Sequence, residues 1–200
     1  MSTSAAPVSD RRMGSEGSEN WHAMLDGALA ILREEGHAEL TSRRIAERIG
    51  VKQRLVYYYF RTMDDLVISL FRRLAERELA RLKLATDQPQ PLRALWDIKL
   101  NSTDSRLISE FMALANRIEE LKHEVILFIE TAREIEVTAL AKAMQNVPQP
   151  GNMGPTGLSV TITSLALLLS RENQLGISTG HAEIMSALEA FLDQLEPLGA

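Results

Sequence analysis

Two hundred residues, 45% of them hydrophobic, suffice for one sizeable domain or for a small module followed by a larger one. The chain has no cysteine, which excludes disulfides and thiolate metal sites and is compatible with a reducing compartment, so the cytoplasm is the expected location. A net charge of −5 argues, as a single number, against a partner as acidic as DNA, but it hides a division: residues 20–83 carry 12 basic against 9 acidic side chains, and residues 84–200 carry 8 against 15.

Residues 1–19 are small, polar and Gly/Ser-rich and are expected to form a disordered tail; Arg11-Arg12 is not followed by the apolar run of a secretion signal. Trp21, Met24, Leu25, Ala28, Leu29 and Leu32 recur at steps of three and four, which predicts a first helix closed by Gly36. Thr41 or Ser42 can cap a second, short helix through Ile45, Ala46 and Ile49 that stops at Gly50. A third spans about Gln53 to Tyr59. Thr62 then opens a long helix with Asp64 and Asp65 in its first turn, where carboxylates favour the helix dipole, so the acidic pair reads as a helix start rather than a metal site.

That helix ends near Pro89-Gln90-Pro91. Beyond it, Leu92 to about Asn101, Asp104 to about Asn116, and Ile118 to about Asn146 read as helices. The stretch VPQPGNMGPTG is a loop, Leu158 to Ser170 is apolar nearly all round, and Ala182 to Leu195 carries one apolar stripe. No segment alternates as a strand would, and the longest apolar run, about 12 residues, is short of the roughly 20 that a membrane span needs. The fold class is therefore all-α: a three-helix helix-turn-helix domain over residues 20–66 and a helical domain over residues 67–200.

A short helix, a turn at Gly50 and a second short helix, preceded by a longer one, have the shape of a helix-turn-helix unit whose last helix enters the major groove. Arg43, Arg44, Arg48, Lys52, Arg54 and Arg61 are opposed within residues 41–61 only by Glu47, which adds a basic face. Helical neighbours point about 100° apart, so Tyr57, Tyr58 and Tyr59 cannot share one environment, and at least one faces outward. A groove-facing tyrosine can touch a thymine methyl or bond a phosphate, although two packed rings and an incidental third would produce the same run.

GVKQRLVYYYFRTMDDL, together with the T-x-R-x-I-A pattern of Thr41 to Ala46, resembles the signature of the tetracycline-repressor (TetR) family over roughly Trp21 to Phe71. The resemblance implies a dimeric transcriptional regulator, usually a repressor, whose divergent C-terminal domain binds a small effector. It implies that Arg43 contacts a base, that Thr41 and Ser42 meet phosphate, that Gln53, Arg54 and Tyr57 read bases, and that Tyr58 and Tyr59 hold the backbone. Lys52 completes the charge of this set. Met63 stands where a phosphate-binding lysine is frequent in the family, and Arg61 is positioned to supply that charge instead.

In the C-terminal half, Leu95, Trp96, Leu107, Phe111, Met112, Phe128 and Ile129 are apolar positions where a cavity would suit an apolar or amphipathic effector. Leu158, Ile162, Leu165 and Leu169, with Ile184, Leu188, Phe191, Leu192 and Leu195, are expected to pack against their own copies as a four-helix dimer interface. Asn116, Arg117 and His123 could orient a ligand or simply face water. The four histidines lack ligand spacing, Glu119, Glu120 and Glu124 read as a wet helix face, and no G-x-S-x-G, P-loop or GxGxxG motif is present, so neither metal, cofactor nor catalysis is expected. Two other readings fit the same residues: a regulator that needs no effector, and a helical adaptor that binds another protein through its apolar C-terminal stripes.

Overall fold

The computed structural model describes residues 15–102, 105–146 and 153–197. All regular structure among them is helical, and no helix is long and apolar enough to cross a membrane. The chain divides into two compact units that part between Leu70 and Phe71.

The first unit is built from α1 (Glu19–Glu34), α2 (Ser42–Ile49), α3 (Gln53–Tyr59) and the opening turns of α4 (Met63–Thr86). Ser18 caps α1 by accepting the Trp21 N–H, so residues 15–19 of the expected tail include the start of this helix; residues 1–14 of it lie outside the described residues. Gly36 takes φ 87° after α1 and Gly50 takes φ 72° after α2, left-handed values that an L side chain adopts only with strain. Thr41 is the N-cap of α2, its Oγ1 accepting the Arg44 N–H at 3.2 Å. Thr62 and Asp65 cap α4 reciprocally, each side chain accepting the other's backbone N–H at 3.0 Å. A 3-10 turn, His37–Glu39, joins α1 to α2 and has no signal in the apolar spacing.

Met24, Leu25, Ile31, Leu32, Ile45, Val56, Leu66 and Leu70 are fully buried and form the core of this unit. The Trp21 ring stacks on Phe60 with centroids 6.1 Å apart. Gly27 lets α1 approach α2 closely: a Cβ there would stand 2.9 Å from Cγ2 of Ile49.

The second unit holds the rest of α4 with α5 (Pro91–Ser102), α6 (Ser105–Ala115), α7 (Glu119–Ala143), α8 (Pro155–Gln174) and α9 (His181–Leu195). The helix α8 begins at Pro155 and runs to Gln174, several residues beyond the expected span at both ends. Proline at the first helical position needs no N–H partner, so the loop expected up to Gly157 is partly helix; residues 147–152 of that loop lie outside the described residues.

The core of this unit joins Leu82 and Ala85 of α4, Leu92, Leu95 and Trp96 of α5, Ala139 and Leu140 of α7, Ala166 and Leu169 of α8, and Leu188 and Leu192 of α9. Glu196, just past α9, caps the N-terminus of α5 by accepting the Leu92 and Arg93 N–H groups at 2.8 and 3.1 Å. Arg93 in turn pairs with Glu189 at 2.7 Å and with Asp193. Elsewhere Arg72 pairs with Glu120 at 3.0 Å and Glu124 at 2.6 Å, so two of the three carboxylates read as a wet face brace α4 against α7.

Candidate functional site

The outward face of α2 and α3 concentrates groups suited to nucleic acid. Lys52, Gln53 and Arg54 are exposed at the start of α3, and Tyr57 and Tyr58 follow at 52% and 48% exposure. Tyr59 is half-buried, with its ring edge-on to Tyr58 at 5.4 Å, and Phe60 closes the run inside the core. The three tyrosines thus divide as helical rotation requires, two outward and one partly inward.

Ser42 departs from the expected role of a phosphate-contacting hydroxyl. It is only 4% exposed, and its Oγ accepts from Gln53 Nε2 at 2.9 Å while donating to the Tyr57 hydroxyl at 3.0 Å. Placing Ser42 one residue inside the cap turns it toward α3, whereas Thr41 stays exposed. The consequence is a relay that fixes both Gln53 and Tyr57. A tyrosine oxygen that accepts one bond keeps its own proton, so Tyr57 is left able to donate to an acceptor outside the protein.

The basic run is less free than its count along the chain implies. Arg44 is held by Glu35, and Arg48 by Glu34 at 2.6 Å and Glu35 at 3.4 Å, carboxylates from the end of α1 that the 41–61 window omits. Hydrogen bonding to Glu35 keeps the Arg44 pKa above its usual value. Arg43 is exposed and paired with Glu47 at 2.9 Å, a contact that a phosphate or base could replace at little cost. Arg61 is also exposed, and Met63 is half-buried at the first position of α4.

In the second unit the residues expected to line a cavity separate. Leu95 and Trp96 do line one, of about 30 Å³, between α5, α7, α8 and α9. Leu107 and Phe111 are buried away from it, and Met112 is 45% exposed, so its assignment to a pocket is corrected: it lies on the outer face of α6. Phe128 and Ile129 are half-buried, and the Phe128 ring packs edge-on against Phe71 at 6.0 Å, as Phe111 does at 5.2 Å. These rings are core. Asn116, Arg117 and His123 are exposed.

The polar end of the cavity escaped the sequence reading. Glu136 is 4% exposed, and its Oε1 lies 2.5 Å from Lys99 Nζ. Ser159 and Thr163 donate to its Oε2 at 2.7 and 3.3 Å, and Lys99 also donates to Thr163 at 2.8 Å. The available signal was a lysine and a glutamate on otherwise core-facing stripes of α5 and α7.

The expected dimer stripes also divide. Leu158, Leu169, Leu188 and Leu192 are buried in the core of their own unit, which corrects their placement on an intermolecular face. Ile162, Leu165, Ile184, Phe191 and Leu195 pack partly against that core, and Val160 and Leu167 are the large apolar residues that α8 turns outward. A helix apolar nearly all round leaves its facing undetermined until its neighbours are known.

A capped three-helix unit with a short, exposed, cationic and tyrosine-bearing third helix defines a helix-turn-helix DNA-binding protein. Comparison agrees: the family profile described as "Bacterial regulatory proteins, tetR family" matches residues 24–70. The HTH-type transcriptional regulator TcmR of Streptomyces glaucescens is 23% identical over 183 residues, covering 85% of this chain and 80% of the relative. An uncharacterized HTH-type transcriptional regulator in the dhlA 5′ region of Xanthobacter autotrophicus is 30% identical over 129 residues, or 59% of this chain and 64% of that one. Among solved structures, a TetR transcription regulator from Haloarcula marismortui superposes with a TM-score of 0.68 at 20% identity, over 89% of this chain and 91% of the other. Residues 24–70 are thus similar to the DNA-binding domain of the tetR family, and the chain as a whole shares the fold of the solved TetR-type regulator.

Proposed function

We propose that the protein is a homodimeric repressor whose α3 helices read two operator half-sites and which leaves DNA when its C-terminal unit takes up a small effector. The observation that carries this reading is the exposed face of α3, where Gln53 and Tyr57 are pre-positioned by one buried serine. Gln53 can bond an adenine edge bidentately and Arg54 a guanine edge, each such pair contributing about 1–3 kcal/mol of discrimination. Tyr57 and Arg43 join them at base edges, while Tyr58 donates to phosphate with Lys52 and Arg61 supplying charge, and these last contacts set register rather than sequence. Pre-ordering by Ser42 lowers the entropy lost on docking.

The two recognition helices of a dimer must meet half-sites about 34–36 Å apart or a multiple of it, so an effector that alters their separation weakens binding without touching α3. Support for a dimer comes from Val160 and Leu167, apolar residues left on the surface of α8.

Fluorescence anisotropy at ~0.15 M salt, where non-specific affinity is about 10⁻⁴–10⁻⁶ M, tests the reading with duplexes tiled across the region upstream of the protein's own gene. Nanomolar binding to one tile, lost in the Gln53→Ala/Tyr57→Ala variant, is the expected result. Binding that stays equal across tiles and scrambled duplexes, or survives the double substitution, would overturn it. Operator affinity unchanged at saturating effector would remove the release step alone.

A further inference from the structure

We infer that Ser42, itself too buried to meet DNA, sets the kind of base that Gln53 reads: by holding the amide nitrogen it turns the amide oxygen outward, so the base facing Gln53 must carry an exocyclic amine. Adenine and cytosine meet that condition, and guanine and thymine do not. This rests on the operator reading above and adds the chemistry of one base pair.

Gln53 and Tyr57 stand four positions apart and so share one face of α3, where Ser42, the first residue of α2, reaches both. A hydroxyl carries a single proton. That of Ser42 goes to the Tyr57 oxygen at 3.0 Å, so toward Gln53 the serine can only accept, and it does so from Nε2 at 2.9 Å. At 4% exposure the serine is shielded from water that could replace either bond. Gln53 is exposed, and an amide held by its nitrogen presents its oxygen, which is an acceptor only.

In the major groove adenine N6 and cytosine N4 are donors, whereas guanine O6 and thymine O4 are acceptors. The Gln53 oxygen completes a bond with the first two and meets the others acceptor to acceptor. The opposite proton order, from Tyr57 to Ser42 to the oxygen of a turned amide, would leave a bare tyrosine oxygen among phosphate and base acceptors, so a DNA surface selects the order described. Ser42 is thus a positioning residue that acts through two others.

The test selects an operator from random-sequence duplexes with the full-length protein and then measures anisotropy for all four base pairs at each half-site position. The position at which Gln53→Ala removes discrimination is the one that Gln53 reads. There the native protein should bind A·T and C·G, with the amine facing Gln53, about tenfold more tightly than the inverted pairs T·A and G·C. Ser42→Ala should bring the four pairs within about twofold of one another, because a released amide can turn either end to the groove. Tyr57→Phe, which takes away the acceptor of the Ser42 proton and lets that proton go to the amide oxygen, should move the preference at the same position toward T·A and G·C. A serine that only supported the fold would lower affinity for all four pairs alike.

Without DNA, the Gln53 side-chain NH₂ of the ¹⁵N-labelled protein, assigned through Gln53→Ala, should give a heteronuclear NOE close to that of the backbone and lose it in Ser42→Ala. Should Ser42→Ala not fold, the pair inversions and the amide NOE of the native protein decide alone. A native preference for the keto base, discrimination that Ser42→Ala leaves intact, no position at which Gln53→Ala acts, or a Gln53 amide as mobile as the free side chains would overturn the inference and leave the regulator standing. Failure of every duplex to enrich would overturn the operator reading, and the base preference with it.

Discussion

Both units carry ion pairs at the surface, but the C-terminal unit also buries one. In the N-terminal unit the charges lie on the surface: Arg43 with Glu47 and Arg48 with Glu34 are pairs that water can replace. In the C-terminal unit the pair Lys99–Glu136 is sealed in, with side chains 14% and 6% exposed. A surface pair contributes little to stability and remains available to a partner, whereas a buried pair is costly to break and lends itself to shaping a cavity. The difference teaches that donors left at a surface stay available to a partner, whereas enclosed ones are committed to the protein's own interior.

Substitution sharpens this contrast most at the buried pair. Removing one partner leaves an uncompensated buried charge, so Glu136→Leu alone should destabilise the C-terminal unit by about 3–5 kcal/mol. Adding Lys99→Met should restore most of that loss, because two apolar groups replace two charges. Urea unfolding followed at Trp96 measures both, and a double variant as unstable as the single one would show that the pair has no special status.

A smaller effect is expected at the relay. Ser42→Ala should leave the helical content unchanged and lower operator affinity by about fivefold, the loss of one net hydrogen bond of roughly 1 kcal/mol. It acts only by releasing Gln53 and Tyr57, so in a Gln53→Ala/Tyr57→Ala background the same change should be silent in anisotropy. The least effect belongs to the surface. Glu34→Ala, which leaves Arg48 with Glu35 alone, should shift stability by no more than about 1 kcal/mol, and a double-mutant cycle with Arg48→Ala checks the coupling. A coupling as large as that of Lys99–Glu136 would erase the distinction between the two units.

The N-terminal unit was legible because its signals are local. Gly36 and Gly50 stop helices through their own φ preference, Thr41 and Thr62 cap through bonds to residues three positions on, and the tyrosine run divides by helical rotation alone. Ser42 was misread because choosing between adjacent hydroxyls depends on α3, which arrives from eleven residues away to supply Gln53. The charge count failed for the same reason, since Glu34 and Glu35 reach Arg44 and Arg48 through the packing of α1 on α2.

In the C-terminal unit the signals are not local. Met112, Leu107 and Leu158 carry the same apolar label, yet one faces outward and two face the core. Lys99 and Glu136 stand 37 positions apart on different helices, and nothing in either neighbourhood marks them as partners.

By itself, then, the sequence determined that the chain is helical, where most helices begin and end, and that residues 53–59 form a helix with an exposed polar and tyrosine-bearing face. Each of these follows from backbone preference and periodicity within a few residues. Only the tertiary structure decided which hydroxyl positions Tyr57, which arginines are already paired, and that a buried ion pair and Trp96 line one cavity. Those outcomes depend on contacts between elements far apart in the chain, and in a low-dielectric interior such contacts set the cost of every polar group.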